Sequence, residues 1–273
     1  MHSVETSPVA RRVKQAGSIM QGTRLPPPVL DAVFVCHDEG MAELLICDLG
    51  VVEYRAGVEL QDAVRARVQA GELPDVLLLL EHPPVYTLGR RSGANDLPMG
   101  EDWYRAHGID VVRTNRGGKL TYHGPGQLVG YPIVRIDDVI AYVRAMERAL
   151  AAALRDVGLR PRLRVDEGPD YTGVWVEDRK IASIGVHVAK GVTTHGFAIN
   201  VDNDLQPFGY VVACGLPEVQ MTSVRKEGAT ATLAEVRERA AARLAEELGL
   251  VGVVGGAARL GLAGAAGVAA APA

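Results

Sequence analysis

Asp75–Glu81 is apolar at five successive positions, Val76 to Leu80. A strand with one wet face alternates apolar and polar residues. A continuous apolar run means a strand buried on both faces, inside a sheet. Pro83 and Pro84 end the run, because proline has no N–H to give to a ladder. Other segments supply the partners and the cover. LLICDLG (44–50) reads as a second strand. Leu60, Val64 and Val68 recur at helical spacing before Gly71, a stop signal. Asp138 is placed to cap a helix with the stripe Ile140, Val143, Met146, Leu150, Leu154 and Val157, ending at Gly158. GVWVEDRKIASIGVHV (173–188) predicts two strands around Glu177–Arg179, and HGFAINV (195–201) a third. A last helix opens on the capping box Thr232-x-x-Glu235 and carries Leu233, Val236, Ala240, Leu244 and Leu248 on one side. Helices interspersed with hairpins predict an α/β (α+β) single domain with a mixed sheet flanked by helices, without internal repeats.

The 273 residues suffice for a sizeable core. Residues 1–28 lack periodicity and close on Pro26-Pro27-Pro28, so they read as a flexible arm. Residues 251–273 are nearly all Gly, Ala and Val and read as a disordered tail, leaving 29–250 as the folded catalytic unit. With 29 Lys and Arg against 33 Asp and Glu, the formal charge is −4, which excludes a global basic field for nucleic acid or an anionic membrane. No run approaches the length of a membrane span and the opening residues lack a signal-peptide core, so the expected location is the cytoplasm. Three cysteines, Cys36, Cys47 and Cys214, show no CxxC spacing, so neither a disulfide framework nor a cysteine zinc site is expected.

Three features carry candidate chemistry. RGGKLTYHGPGQ (116–127) strips side chains from the backbone, as a ligand wall does and as a plain turn also does. It fits neither GxxxxGK[ST] nor GxGxxG. Arg116 and His123 bracket it with one fixed cation and one titratable group. Cys214 stands at the end of an apolar run, just before Gly215, as a presented thiol or as a small buried hydrophobe. Lys180 opens a strand whose face continues through Ala182, Ile184, Val186 and Val188. If that face is interior, desolvation lowers the lysine pKa and lets the amine accept a thiol proton; if not, it is a solvated turn lysine.

Five stretches in order, EHPPVYTLGRR (81–91), RGGKLTYHGPGQLVGYPI (116–133), RKIASIGVHV (179–188), THGFAINV (194–201), and CGL with MTSV (214–216, 221–224), resemble the lipoyl(octanoyl) transferases of lipoate biosynthesis. The likeness runs from about Leu44 to Leu250. It implies the fold of lipoate- and biotin-protein ligases. It also implies transfer of octanoyl from octanoyl-acyl carrier protein to a lysine of lipoyl domains, those of 2-oxoacid dehydrogenase E2 subunits and of the glycine cleavage H protein. No cofactor and no metal is implied. Cys214 then corresponds to the nucleophile and Lys180 to its acid/base partner. Arg116, Gly117, Gly118 and Lys119, continuing through Leu120, Thr121, Tyr122 and His123, correspond to a substrate-binding segment. Ser183, Ile184 and Gly185 correspond to a second, and Gly196, Phe197 and Ala198 to a third, with His82 near the site. Tyr122 departs from the Trp that related sequences often carry.

Exchange of one thioester for another needs activation and positioning, not ATP. Backbone N–H groups near Ser183, Gly185 or Gly215 are candidate oxyanion donors. Six methylenes at about 0.8 kcal/mol each give roughly 5 kcal/mol of acyl binding, and a chain two carbons shorter loses about 15-fold. Arg90, Arg91 and the alternating Arg160, Arg162 and Arg164 are a candidate contact patch for acidic carriers, or else a solvated edge. The competing readings are an ATP-dependent ligase on the same fold, a catalytically inert acyl-binding module and a Cys–Lys thioesterase.

Overall fold

The computed structural model describes residues 42–212 and 219–261. The arm at 1–28, Cys36, Cys214 and residues 262–273 lie outside them.

The chain begins with β1 (Glu43–Val51), α1 (Tyr54–Gln69) and β2 (Asp75–Glu81). A small three-stranded sheet follows, of β3 (Val85–Leu88), β4 (Asp110–Arg113) and β5 (Leu120–His123), with α2 (Glu101–Ala106) between its first two strands. Next come β6 (Gln127–Ile133), α3 (Val139–Asp156), β7 (Pro161–Arg162), β8 (Gly173–Val176), β9 (Arg179–Ala189) and β10 (Val192–Asn200). The last described elements are α4 (Leu233–Leu248) and β11 (Val251–Val254). Among the described residues the large sheet has eight strands in the order β11-β1-β2-β6-β10-β9-β8-β7. It is mixed: β1 pairs parallel with β2 and β11, and the remaining pairs are antiparallel.

β2 sits inside this sheet and accounts for the unbroken apolar run. Leu77 and Leu79 point to one face, into a core with Met146, Leu150 and Leu154 of α3 and Val236, Ala240 and Leu244 of α4. Val76, Leu78 and Leu80 point to the other, into a core with Val64 and Val68 of α1. Burying such a side chain contributes about 1.5–3 kcal/mol, so this strand anchors both layers.

Both predicted caps form. The Asp138 carboxylate accepts from the N–H groups of Ile140 (2.8 Å) and Ala141 (3.1 Å), and Thr232 and Glu235 complete a reciprocal box at the start of α4. Five of the six predicted members of the α3 stripe pack on the core, Met146, Leu150 and Leu154 fully buried and Val143 and Val157 partly, and only Ile140 does not. Ile140 is 73% exposed, and Tyr142, Met146, Ala149, Leu150, Ala153 and Leu154 are among the buried residues of the helix.

The boundary drawn at 250 is corrected. Val251–Val254 adds to β1 as a parallel edge strand, with Val251 N–H donating to Ala42 O (2.9 Å) and Gly255 N–H to Ile46 O (2.8 Å). Leu260 is fully buried among the α1-side residues. Backbone pairing asks little of side-chain size, so a composition of small residues does not prevent strand addition.

The small sheet orders β4-β3-β5 over an aromatic cluster. Tyr86 lies 5.0 Å from Tyr104 and 5.6 Å from Tyr122, and Tyr122 lies 5.4 Å from Phe208, centroid to centroid. These four-residue strands are too short to announce themselves by alternation. They nonetheless carry the glycine-rich segment to the rim of the large sheet.

Candidate active site

Strand β9 opposes β8 with one extra residue. Val174 pairs with Ala182 and Trp175 with Lys180, so Ile181 is bulged out of register. Ala182, Ile184 and Val186 belong to the core on the α3 side. Without the bulge Lys180 would share that face. With it, Lys180 turns to the opposite side, where it lines a cleft with Ser183 and Gly185. Only 2% exposed, it holds its Nζ 5.3 Å from the Trp175 ring centroid. The expected stripe of Lys180 with Ala182, Ile184 and Val186 is therefore corrected, although Lys180 is interior.

Two clamps hold this lysine. Its N–H donates to Gln220 O and its O accepts from Thr222 N–H, both at 2.9 Å, so residues 220–222 form a rung beside it. That rung is tied to the start of β9 by Glu227, which accepts from Arg179 Nε (2.8 Å) and Nη2 (3.0 Å) and from the Thr222 hydroxyl. The second clamp is Gly173, at φ +134°, where an added Cβ would lie 2.9 Å from Lys180 Cε and 2.4 Å from Ala182 O. Its N–H donates to buried Glu147 at 2.8 Å. Cys214 itself lies outside the described residues, but the rung begins six residues after it in sequence.

The glycine-rich segment forms the facing wall. Arg116 is buried and braces it from inside. Its Nη1 donates to Lys119 O (2.7 Å) and Gly117 O (3.0 Å), and its Nη2 to the Thr87 hydroxyl (2.8 Å) and carbonyl. The bare backbone is used chiefly for protein-to-protein approach: Gly117 N–H donates to Val186 O at 2.9 Å, and a Cβ on Gly89 would meet Gly118 O at 2.5 Å. Arg116, Gly118, Lys119, Leu120, Thr121 and His123 line the cleft. Gly117 is hydrogen-bonded to β9 and Tyr122 points into the aromatic cluster, and neither lines it.

Three imidazoles are buried, two lining the cleft and one behind it, and burial holds all of them neutral. His123 is pushed well below the ordinary histidine value, first by desolvation and then by His82 and Arg116. Its Nδ1 meets Gln127 Oε1 at 2.7 Å and its Nε2 meets the Thr87 hydroxyl at 3.4 Å. The bracketing pair of cation and titratable group is thus a cation beside a locked neutral ring. His82, lowered to about 4 by burial, does not line the cleft. Its Nδ1–H donates to Val52 O and its Nε2 accepts from Tyr131 O–H, both at 2.6 Å, so it acts on the cleft through Tyr131.

Sequence reasoning missed Tyr54, Tyr131 and His195, all of which line the cleft. His195 is 3% exposed and lowered to about 3 by burial and then Arg116. It adopts φ +57°, a strained value for a non-glycine residue, and its N–H is taken by Gln61 Oε1 of α1 at 2.6 Å. Its Nε2 meets Asn115 Oδ1 at 2.7 Å, while Nδ1 has no partner among the described residues. The next residue, Gly196, permits the close approach of β10 to its neighbour β6, where a Cβ would lie 2.3 Å from Gly130 O. Gly196, Phe197 and Ala198 line the cleft, as do Ser183, Ile184 and Gly185. The signal for His195 was in THGFAINV, one position before the residues singled out.

The arginine trio does not form one exposed patch. Arg162 and Arg164 share Glu167, and Arg164 lies 4.3 Å over the Tyr171 ring and 4.6 Å over Trp175. Arg91 instead lines the cleft, paired with Asp170 at 2.9 Å. Among the described residues no cluster of His, Cys, Asp and Glu is suited to hold a metal, and no helix is long and apolar enough to cross a membrane.

A mixed sheet flanked by helices in this order matches a known fold. The putative lipoate protein ligase of Thermoplasma acidophilum, solved with lipoic acid bound, superposes with a TM-score of 0.61 at 19% identity, over 79% of this chain and 89% of that one. A lipoate-protein ligase A bound with ATP superposes equally well, at 20% identity. At such identities the likeness establishes the fold. The family model for the lipoyl protein ligase A/B catalytic domain matches residues 53–245. The octanoyltransferase of Solibacter usitatus is 47% identical over 203 residues, 73% of this chain and 90% of the relative. That of Acidothermus cellulolyticus is 45% identical over 209 residues, 73% and 89%. The chain belongs to the lipoyl protein ligase A/B catalytic-domain family and, within it, to the octanoyltransferases. It is an acyltransferase that moves octanoyl groups in protein lipoylation.

Proposed function

We propose that the donor is octanoyl-acyl carrier protein, that the acceptor is a lysine of a lipoyl domain, and that the octanoyl group passes through a thioester on Cys214 with Lys180 as acid and base. The donors and acceptors are those that the family resemblance implies, among them E2 subunits and the H protein. The observation that carries the reading is the buried Lys180 at the cleft, clamped backbone to backbone against the residues that follow Cys214.

In the first half-reaction the Cys214 sulfur attacks the thioester carbonyl carbon, its proton passes to Lys180, and the carrier thiolate leaves and takes that proton. In the second, the acceptor amine attacks the enzyme thioester, loses a proton to Lys180, and the Cys214 thiolate is released and reprotonated. Bond making and breaking balance without ATP. The developing oxyanion needs a donor. Val186 turns its carbonyl to the edge away from β10 to meet Gly117, so by alternation the N–H groups of Ser183 and Gly185 point into the β9–β10 ladder. By strand alternation Ile184 directs its N–H to that same edge, beside the cleft, which makes it the donor of choice over Ser183 or Gly185.

Intact-protein mass spectrometry tests the reading. The chain mixed with octanoyl-acyl carrier protein without ATP should gain one octanoyl group, located on Cys214, that moves to a lipoyl domain added afterwards. Cys214→Ala should abolish both steps. No adduct without ATP, with modification of the domain once ATP and free octanoate are supplied, would make the chain a ligase like the solved structures that share its fold.

A further inference from the structure

Gln127 and Asn200 are buried polar side chains that the chemistry above does not use. Each is 1% exposed, and the two stand opposite one another in the β6–β10 pairing. Their hydrogen bonds run in one direction. The Thr222 carbonyl accepts from Asn200 Nδ2 at 2.9 Å, so the amide of Asn200 must present nitrogen on that side and oxygen on the other. Asn200 Oδ1 then accepts from Gln127 Nε2 at 2.9 Å, which leaves Gln127 Oε1 facing His123 Nδ1 at 2.7 Å. His123 must carry its proton there, and its Nε2 is left as acceptor for the Thr87 hydroxyl, whose oxygen in turn accepts from Arg116. Each link has a single arrangement of donors and acceptors, and reversing one leaves a buried group unpaired, at about 1–3 kcal/mol.

The two ends are the two walls of the cleft. Arg116 and His123 belong to the glycine-rich wall, and Thr222 belongs to the rung bonded to Lys180. We infer that Gln127 and Asn200 are positioning residues for acyl transfer, whose relay from His123 to the Thr222 carbonyl holds the rung bonded to Lys180 in register with the substrate wall. This rests on the role proposed above for Lys180. A displacement of about 1 Å between groups that must meet costs on the order of 100-fold in rate, so a rigid link between walls has catalytic consequence although neither residue touches substrate.

Asn200→Asp keeps shape and the acceptor toward Gln127 but sets a carboxylate oxygen against the Thr222 carbonyl. Rates of octanoyl adduct formation across donor concentrations separate the rate at saturation from KM. The expected result is a fall of 10- to 100-fold in the saturating rate with KM within twofold. Thr193→Val is the stability-matched control: it removes a buried hydroxyl bonded to Pro132 O (2.7 Å) at the far end of β10 and should lower Tm without changing the saturating rate. If Asn200→Asp does not melt cooperatively, Gln127→Glu, which loses the donor one link away, carries the same expectation. A saturating rate within twofold of the unaltered chain, in a folded variant, would overturn the relay alone. Loss of folding in both variants would make the pair a requirement of the fold and overturn the positioning role. Absence of any adduct in the unaltered chain would overturn the functional reading and the relay with it.

Discussion

β2 and β9 lie in one sheet yet are built on opposite terms. β2 is apolar toward both layers, covered by α3 and α4 on one side and α1 on the other. β9 is apolar only toward the helices; its other side shows Lys180, Ser183 and Gly185 to a cleft. The difference shows how a site is opened in a two-layered sheet. Where helical cover ends, small and polar side chains replace large apolar ones, and a single bulge decides which side a charged residue takes. On the proposed mechanism reactivity belongs to β9 while the apolar burial belongs to β2, so substitutions in the two strands should separate into different measurements.

The sharpest division comes from Lys180→Met, which retains much of the side chain's volume. Transfer is expected to fall 10²- to 10⁴-fold with cooperative melting preserved, the range typical of a lost acid/base group. Near-full activity would remove Lys180 from the chemistry. Conversely, Leu78→Ala in β2 should cost about 2–5 kcal/mol in denaturant unfolding, while turnover per folded molecule stays the same.

Acid should strike the cleft before the core. His82 and His195 fold with values near 4 and 3, below the unfolded value of about 6.5. The unfolded chain therefore binds more protons in that window. The stability these neutral rings contribute is complete above about pH 6.5 and is lost as pH falls toward their folded values, on the order of 2 kcal/mol per ring by pH 5. Thermal melts from pH 7 to pH 5 should show the decline, and His195→Gln should flatten it. An equal slope in that variant would mean the ring is not the source.

Gly173→Ala is a smaller test of the β9 terms, because it brings a methyl group against Lys180 Cε and the Ala182 carbonyl. About a tenfold loss of transfer rate is expected, and an unchanged rate would show that the lysine tolerates displacement. The least effect should come from Arg162→Glu, since that guanidinium already faces Glu167 and Asp178. KM for the carrier at low salt should move less than twofold; a larger rise would restore Arg162 to the docking surface.

Elements that rest on local chemistry were readable from the chain. Asp138 and the Thr232–Glu235 box cap as predicted, β2 is buried on both faces, and the hairpin turns at Glu177 and Asp178. Elements that exist only through a partner were not. β3, β4 and β5 are four residues each and are strands because they pair with one another. β11 is a strand because β1 offers it an edge.

The amino-acid sequence by itself determined the covered mixed sheet, the glycine-rich segment and the family, because periodicity, caps and ordered motifs are local properties of the chain. Only tertiary structure decided which side Lys180 faces, since one bulged residue, Ile181, inverts the alternation on which a face is read. Tertiary structure likewise brought Tyr54, Tyr131 and His195 to the cleft and joined Gln127 to Asn200 across 73 positions. A hydrogen bond between distant residues depends on strand register, and register is a property of the assembled sheet.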